Sequence, residues 1–216
     1  MSTLAELVFI LVVVIDLFLL ASSRLGAAIR TVAIQGALLG TLPLLLLEER
    51  HSVGHALVLA GGALTIKGFL IPWLMFRAIR EASIRREMEP IIGFVPSMVL
   101  GGIGVALAFA FSSRLPLPNG DAHAYLVPTA LSTVWAGMLL VVSRKKAVNQ
   151  VLGFLVLENG VYVFGLLLAD VMPMMVEAGV LLDLFAAVFV MGIVMFHINR
   201  EFSSLDTEKL SALRDE

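Results

Sequence analysis

The chain has 216 residues, 59% of them hydrophobic and only 15% charged, with a mean hydropathy of +0.98 and no cysteine. A soluble domain carries about 25% charged and 45–50% apolar residues, whereas the excess here gathers into runs of roughly 20 residues, the length that crosses a bilayer as helix. This argues against a soluble globular enzyme, a nucleic-acid binder and a disulfide-stapled secreted domain, and the net charge of −2 conceals a strong segregation of sign along the chain.

Seven segments qualify as spans: Leu4–Ser22, Ala27–Leu47, His55–Phe76, Ile91–Phe111, His123–Val142, Ala147–Ala169 and Met174–Ile198. The runs are too hydrophobic, and their breaks too short, for the alternating ten-residue strands of a membrane β-barrel. Helices then satisfy the backbone in lipid, so the expected fold is an all-α polytopic membrane protein. The first run does not read as a signal peptide, because Ser2, Thr3 and Glu6 replace a basic leader and Asp16 interrupts the apolar stretch. Residues 1–199 form a single transmembrane domain, and residues 200–216 a short polar tail. Between the spans, Arg77 to Pro90 reads as a charged helical extension, and Ser112–Ala122 as a turn rich in helix-stopping residues, with Pro116, Pro118, Asn119 and Gly120.

Seven spans place the N-terminus and the 2–3, 4–5 and 6–7 loops on one side, where only Arg50 and Arg114 occur. The other side carries Arg24, Arg30, Arg77, Arg80, Arg85, Arg86, Arg144, Lys145, Lys146, Arg200, Lys209 and Arg214. The positive-inside rule therefore predicts an external N-terminus and a cytoplasmic C-terminus. One cation, Lys67, belongs to neither set and falls in the middle of the third span.

Spans 1–3 and 5–7 share orientation and show an echo. Ser23-Arg24 corresponds to Ser143-Arg144, Gln35-Gly36 loosely to Glu158-Asn159, and Lys67 to Asp183. A duplication with parallel halves explains this, and so does coincidence among seven hydrophobic helices. Gly36 and Gly40 form a GxxxG pair, read as close helix packing. Gly61 to Gly68 lacks the Gly-Lys-Ser/Thr ending of a phosphate loop and lies within a span. Gly101-Gly102-Ile103-Gly104 lacks dinucleotide spacing. His51 and His55 have no further ligands beside them, so no metal site is expected. His197 reads as an interfacial cap, and the missing cysteines exclude thiolate-held clusters.

Charges at mid-bilayer are costly and need a partner, a hydrated cavity or neutralisation. Five residues meet that description: Glu158, Lys67, Asp183, Glu177 and Asp16. Glu158, halfway along the sixth span, is too deep for a short side chain to reach the interface. A carboxyl held between loss of water and a nearby lysine can exchange protons near neutral pH; the same group, protonated, can also serve as interhelical glue. Lys67 and Asp183 lie at similar depth and are candidates for a buried pair, either structural or part of a proton relay. Glu177 and Asp183 stand on faces roughly 120° apart. Glu177 reads more simply as close to outer water, and Asp16 as bonded to a neighbouring helix.

The run from Arg144-Lys145-Lys146 through Asn149-Gln150 and Gly153 to Glu158-Asn159-Gly160 resembles the membrane subunit called hydrogenase-4 component E. So do Met174 to Asp183, Phe185, His197 and the terminal Leu205-Asp206-Thr207 with Leu210. Spans 5–7 more distantly resemble the K-type subunit of complex I and of multisubunit antiporters. The resemblance implies a non-catalytic membrane subunit of a membrane-bound [NiFe] hydrogenase or formate hydrogenlyase-like complex, in a bacterial or archaeal cytoplasmic membrane. It implies a nickel–iron site and iron–sulfur clusters in peripheral hydrogenase subunits, with antiporter-like and complex I-like membrane subunits alongside, and no cofactor in this chain. The K-type subunit has a functional glutamate in its second helix and another in its third. Glu158 is the counterpart of the first with a slip of one helical turn, since Gly153 precedes it by five residues rather than two, and Asp183 stands nearest the second. The leading expectation is a buried row of Glu158, Lys67 and Asp183 that couples redox chemistry elsewhere to proton or sodium movement. The alternatives are a structural scaffold subunit and a stand-alone secondary transporter.

Overall fold

The computed structural model describes residues 3–45, 53–81, 90–115 and 125–167, together with Gly192. Its described elements are helices. They are α1 (Thr3–Ala21), α2 (Leu25–Leu45), α3 (Val53–Ala63), a π-helical segment (Leu64–Leu70), α4 (Ile71–Glu81), α5 (Phe94–Ser112), α6 (Leu126–Ser143) and α7 (Ala147–Leu167). Four of them, α1, α2, α5 and α6, are long and apolar enough to cross a membrane by length and composition.

The expected third span is one helix with a change of winding inside it: α3 passes through the π-helical segment into α4, where the Ile71 N–H bonds the Ile66 carbonyl five residues back. Pro72 supplies a physical reason. It has no N–H to give the carbonyl four residues earlier, and its ring presses on that carbonyl, so the regular ladder cannot run through Gly68. A wider turn just ahead of the proline relieves the conflict, and π segments of this kind recur at functional sites. The helix then runs on through Arg77 and Arg80 to Glu81, so the charged stretch begins as the expected extension. The expected sixth span corresponds to α7. The seventh, Met174–Ile198, and the tail at 200–216 lie outside the described residues, apart from Gly192.

Helices α6 and α7 pack as a close antiparallel pair joined by the short connection at Arg144-Lys145-Lys146. Glycine makes this approach possible. A Cβ at Gly160 would stand 2.6 Å from the Val134 nitrogen, one at Gly153 2.6 Å from the Val141 nitrogen, and one at Gly137 would run into the backbone of Leu157. Helix α1 lies against α6, α5 and α2, and α2 bridges to α7 and to the π segment. Helix α5 is the least embedded. The indole of Trp135 holds it by lying over Gly104, with Nε1 donating to the Leu100 carbonyl at 3.1 Å.

Arg144 departs from the picture of a solvated loop cation. Its side chain is fully buried, its Nη2 donates to the Leu20 carbonyl at the end of α1 at 2.7 Å, and its guanidinium stacks 4.8 Å from the Phe94 ring. The backbone joins in: Ile91 N–H donates to the Ser143 carbonyl at 2.8 Å, beside an isolated bridge between Pro90 and Arg144. One arginine thus ties the ends of α1, α5, α6 and α7 together.

The apolar interior falls into two clusters. One includes Leu19, Ile29, Val32, Ala136, Leu152 and Val156; the other includes Phe9, Val12, Leu39, Ala130, Tyr162 and Val163. The sequence positions between them, on α1, α2, α6 and α7, are occupied by Asp16, Gln35, Thr133 and Glu158-Asn159. A polar layer therefore lies between two apolar ones. Backbone-to-backbone packing at α6 and α7 predicts that Gly160→Val destabilises the protein by about 1–3 kcal/mol or more, read as a lower thermal midpoint in detergent. Gly102→Ala, where a Cβ meets nothing within 4 Å, leaves the midpoint unchanged.

Candidate functional site: a buried polar layer

Asp16, Gln35, Lys67, Thr133, Glu158 and Asn159 are all buried, and they come from α1, α2, the π segment, α6 and α7. Each sits on a helix whose neighbouring turns face the core, so regular helix geometry carries a polar group inward with the apolar ones. Once inside, in a low dielectric, each needs a partner.

The structure supplies partners in sequence. Lys67 Nζ donates to Asn159 Oδ1 at 3.1 Å, and Asn159 Nδ2 donates to Gln35 Oε1 at 3.2 Å. Gln35 Nε2 donates to Asp16 Oδ1 at 2.7 Å, and Thr133 Oγ1 donates to Asp16 Oδ2, also at 2.7 Å. The Lys67 ammonium also lies 4.6 Å from the centre of the Tyr162 ring, where the ring quadrupole favours a cation. Lys67 also lines a small cavity together with Val32, Ile71, Leu155, Glu158 and Asn159, on the scale of a single water site.

Gly36 sets this geometry. A Cβ there would stand 2.7 Å from Lys67 Cβ, and one at Gly40 3.2 Å from the Leu64 side chain. The expected GxxxG contact is thus present, and it is what lets the π segment carry Lys67 against α2.

Of the five ionisable residues singled out, the structure brings Lys67, Glu158 and Asp16 into one layer. Asp183 and Glu177 lie outside the described residues. Lys67 has Asn159 as a hydrogen-bond partner, and Asp16 is bonded to neighbouring helices as its position implied. Sequence reasoning gave no role to Thr133 and marked Gln35 only as part of the echo. Neutral polar residues carry no charge penalty to draw attention, and only the facing of the helices shows that they meet. The echo held the available signal: Gln35 and Asn159, from its two halves, bond directly. Among the described residues no group of three or more His, Cys, Asp or Glu side chains could hold a metal ion.

A family profile described as NADH-ubiquinone/plastoquinone oxidoreductase chain 4L matches residues 124–215. An uncharacterized protein of Mycobacterium tuberculosis, Rv0085, is 34% identical over 195 residues, covering 88% of this chain and 87% of its own. Hydrogenase-4 component E of Escherichia coli K12 is 28% identical over 158 residues, 73% of each chain, and the Shigella flexneri protein of that name matches equally. The chain belongs to the hydrogenase-4 component E family. No solved structure matches it significantly. In this family member the chain 4L match begins just before α6 and includes Glu158 and Asn159, while Asp16, Gln35 and Lys67 lie ahead of it. The polar layer therefore joins the matched and unmatched parts.

Two substitutions test the layer. Asn159→Leu removes the acceptor of Lys67 and the donor to Gln35, and costs about 1–3 kcal/mol for the buried groups it strands. Gly36→Ala pushes Lys67 away from Asn159 and lowers the thermal midpoint as well. Gly62→Ala, on the helical rod that carries Lys67 but in open space, leaves it where it was.

Proposed function

We propose that this chain is a non-catalytic membrane subunit of a hydrogenase or complex I-like assembly, in a bacterial or archaeal cytoplasmic membrane. Its buried polar layer takes part in proton movement coupled to redox chemistry in partner subunits. The observation that carries the reading is a lysine and a glutamic acid, Lys67 and Glu158, sharing one small cavity inside the helix packing. Family membership supports the complex: the hydrogenase-4 relatives and the chain 4L profile are both named as components of oxidoreductases. The nickel–iron site and the iron–sulfur clusters then belong to peripheral subunits, and antiporter-like and complex I-like subunits are its neighbours in the bilayer.

In this reading Glu158 accepts and releases the proton, and Lys67 alters the cost of doing so by its charge across the cavity. The cavity that both side chains line has room for a water to take part in the transfer. Each step requires a change of partner or hydration, for which the π segment is the adaptable part of the third helix. Asp183, in the expected seventh span, is the candidate for a further member of the row.

In the intact complex reconstituted in vesicles, Glu158→Gln is expected to abolish proton movement while hydrogen-linked redox turnover continues. Unchanged proton movement would leave a scaffold subunit as the reading. The proposed orientation, N-terminus outside and C-terminus inside, is open to direct measurement because the chain has no cysteine. In intact cells an impermeant thiol reagent is expected to label Ser2→Cys, and to label Ser211→Cys only after the membrane is opened.

A further inference from the structure

The hydrogen bonds that join Lys67 to Asp16 all point the same way. A lysine ammonium can only donate, so Asn159 must turn its oxygen to Lys67 and its nitrogen to Gln35. Gln35 in turn must offer its oxygen to Asn159 and its nitrogen to Asp16, which matches the observed contacts. Thr133 closes the far end by donating to the second Asp16 oxygen. Both carboxamides thus lie with their negative ends toward a cation and their positive ends toward a carboxylate.

From this we infer that Gln35 and Asn159 form an oriented carboxamide bridge that makes Asp16 a remote counter-charge of Lys67. Turning either carboxamide over on its own would set donor against donor or acceptor against acceptor in a dry interior, where a mismatch is costly. A carboxamide does not titrate and has no proton to pass on in the way a carboxyl or ammonium does. The bridge therefore passes no proton between Lys67 and Asp16. Gln35 and Asn159 are positioning residues. The inference concerns how Lys67 and Asp16 depend on each other, and it stands whether or not the complex moves protons.

A double-mutant cycle on the intact membrane complex tests it. Asp16→Asn and Lys67→Met are each expected to lower the thermal midpoint for disassembly, because each removes one charged end of the bridge. The pair made together is expected to exceed either single variant, although the two residues do not touch in the hydrogen-bond chain. A second arm moves the charge instead of removing it. Asp16→Asn combined with Gln35→Glu leaves every hydrogen bond possible, with the one between positions 16 and 35 reversed, and shifts the carboxylate one link nearer Lys67, so it is expected to recover the midpoint lost by Asp16→Asn alone. Infrared spectra add a readout that packing does not move: Lys67→Met is expected to bring up a protonated carboxyl band that Asp16→Asn then removes. In a Gln35→Leu background that band no longer depends on Lys67. Additive losses in the cycle, no recovery on moving the carboxylate, or an Asp16 band indifferent to Lys67 in the otherwise native chain would each overturn the inference. Asp16 would then be interhelical glue, unconnected with the lysine.

Discussion

A charged or polar side chain inside a helical membrane protein must be met by another, because neither lipid nor apolar packing will hydrate it. The architecture follows from that constraint. Lys67 requires an acceptor, Asn159 provides one, and the remaining half of the Asn159 amide then demands Gln35, which demands Asp16, which Thr133 completes. Five helical segments are thereby placed relative to one another by groups that have no low-energy alternative. The two apolar clusters on either side can be filled by many combinations of leucine, valine and isoleucine. The layer between them specifies which helix faces which. Whether such a layer stabilises the fold or only makes it unique varies between proteins, since desolvation offsets most of the gain from a buried charge.

Close approach is the second requirement, and glycine meets it twice. At the α6–α7 contact, Gly137, Gly153 and Gly160 bring backbones together, which sets Asn159 and Thr133 at matching depth on adjacent helices. At Gly36 the π-helical turn of the third helix comes down onto α2, which delivers Lys67 to Asn159. Pro72 explains why the winding changes just there. The polar layer thus lies beside the π-helical segment, the irregular stretch of helix among the described residues.

The sequence is legible to different degrees across these features. Helical character, and the deep placement of Lys67, Glu158 and Asp16, follow from hydrophobic run length and from the cost of a charge at mid-bilayer, so single residues announce themselves. The amides do not, since asparagine and glutamine occur throughout helices and only the rotation of each helix about its axis puts Gln35 opposite Asn159. The π segment was hidden because one residue of extra winding leaves hydropathy unchanged, although Pro72 marked the place. Arg144 illustrates a different limit: counted among the cations that set topology, it turns out to be buried under Phe94 and bonded to Leu20. A loop charge and a helix-end clamp look alike in a linear sequence.

The Trp135 contact has a practical consequence. The chain has two tryptophans, and they sit in different settings: Trp73 on α4 with Arg77 stacked 5.7 Å from its ring, and Trp135 bonded across to the Leu100 carbonyl on α5. Trp135 is 40% exposed at the seam where the least embedded helix joins the bundle. With Trp73 replaced by phenylalanine, the remaining indole emission becomes an optical gauge of that seam. Its quenching by brominated lipid tails would show whether acyl chains or a neighbouring subunit lie along α5 in the native membrane.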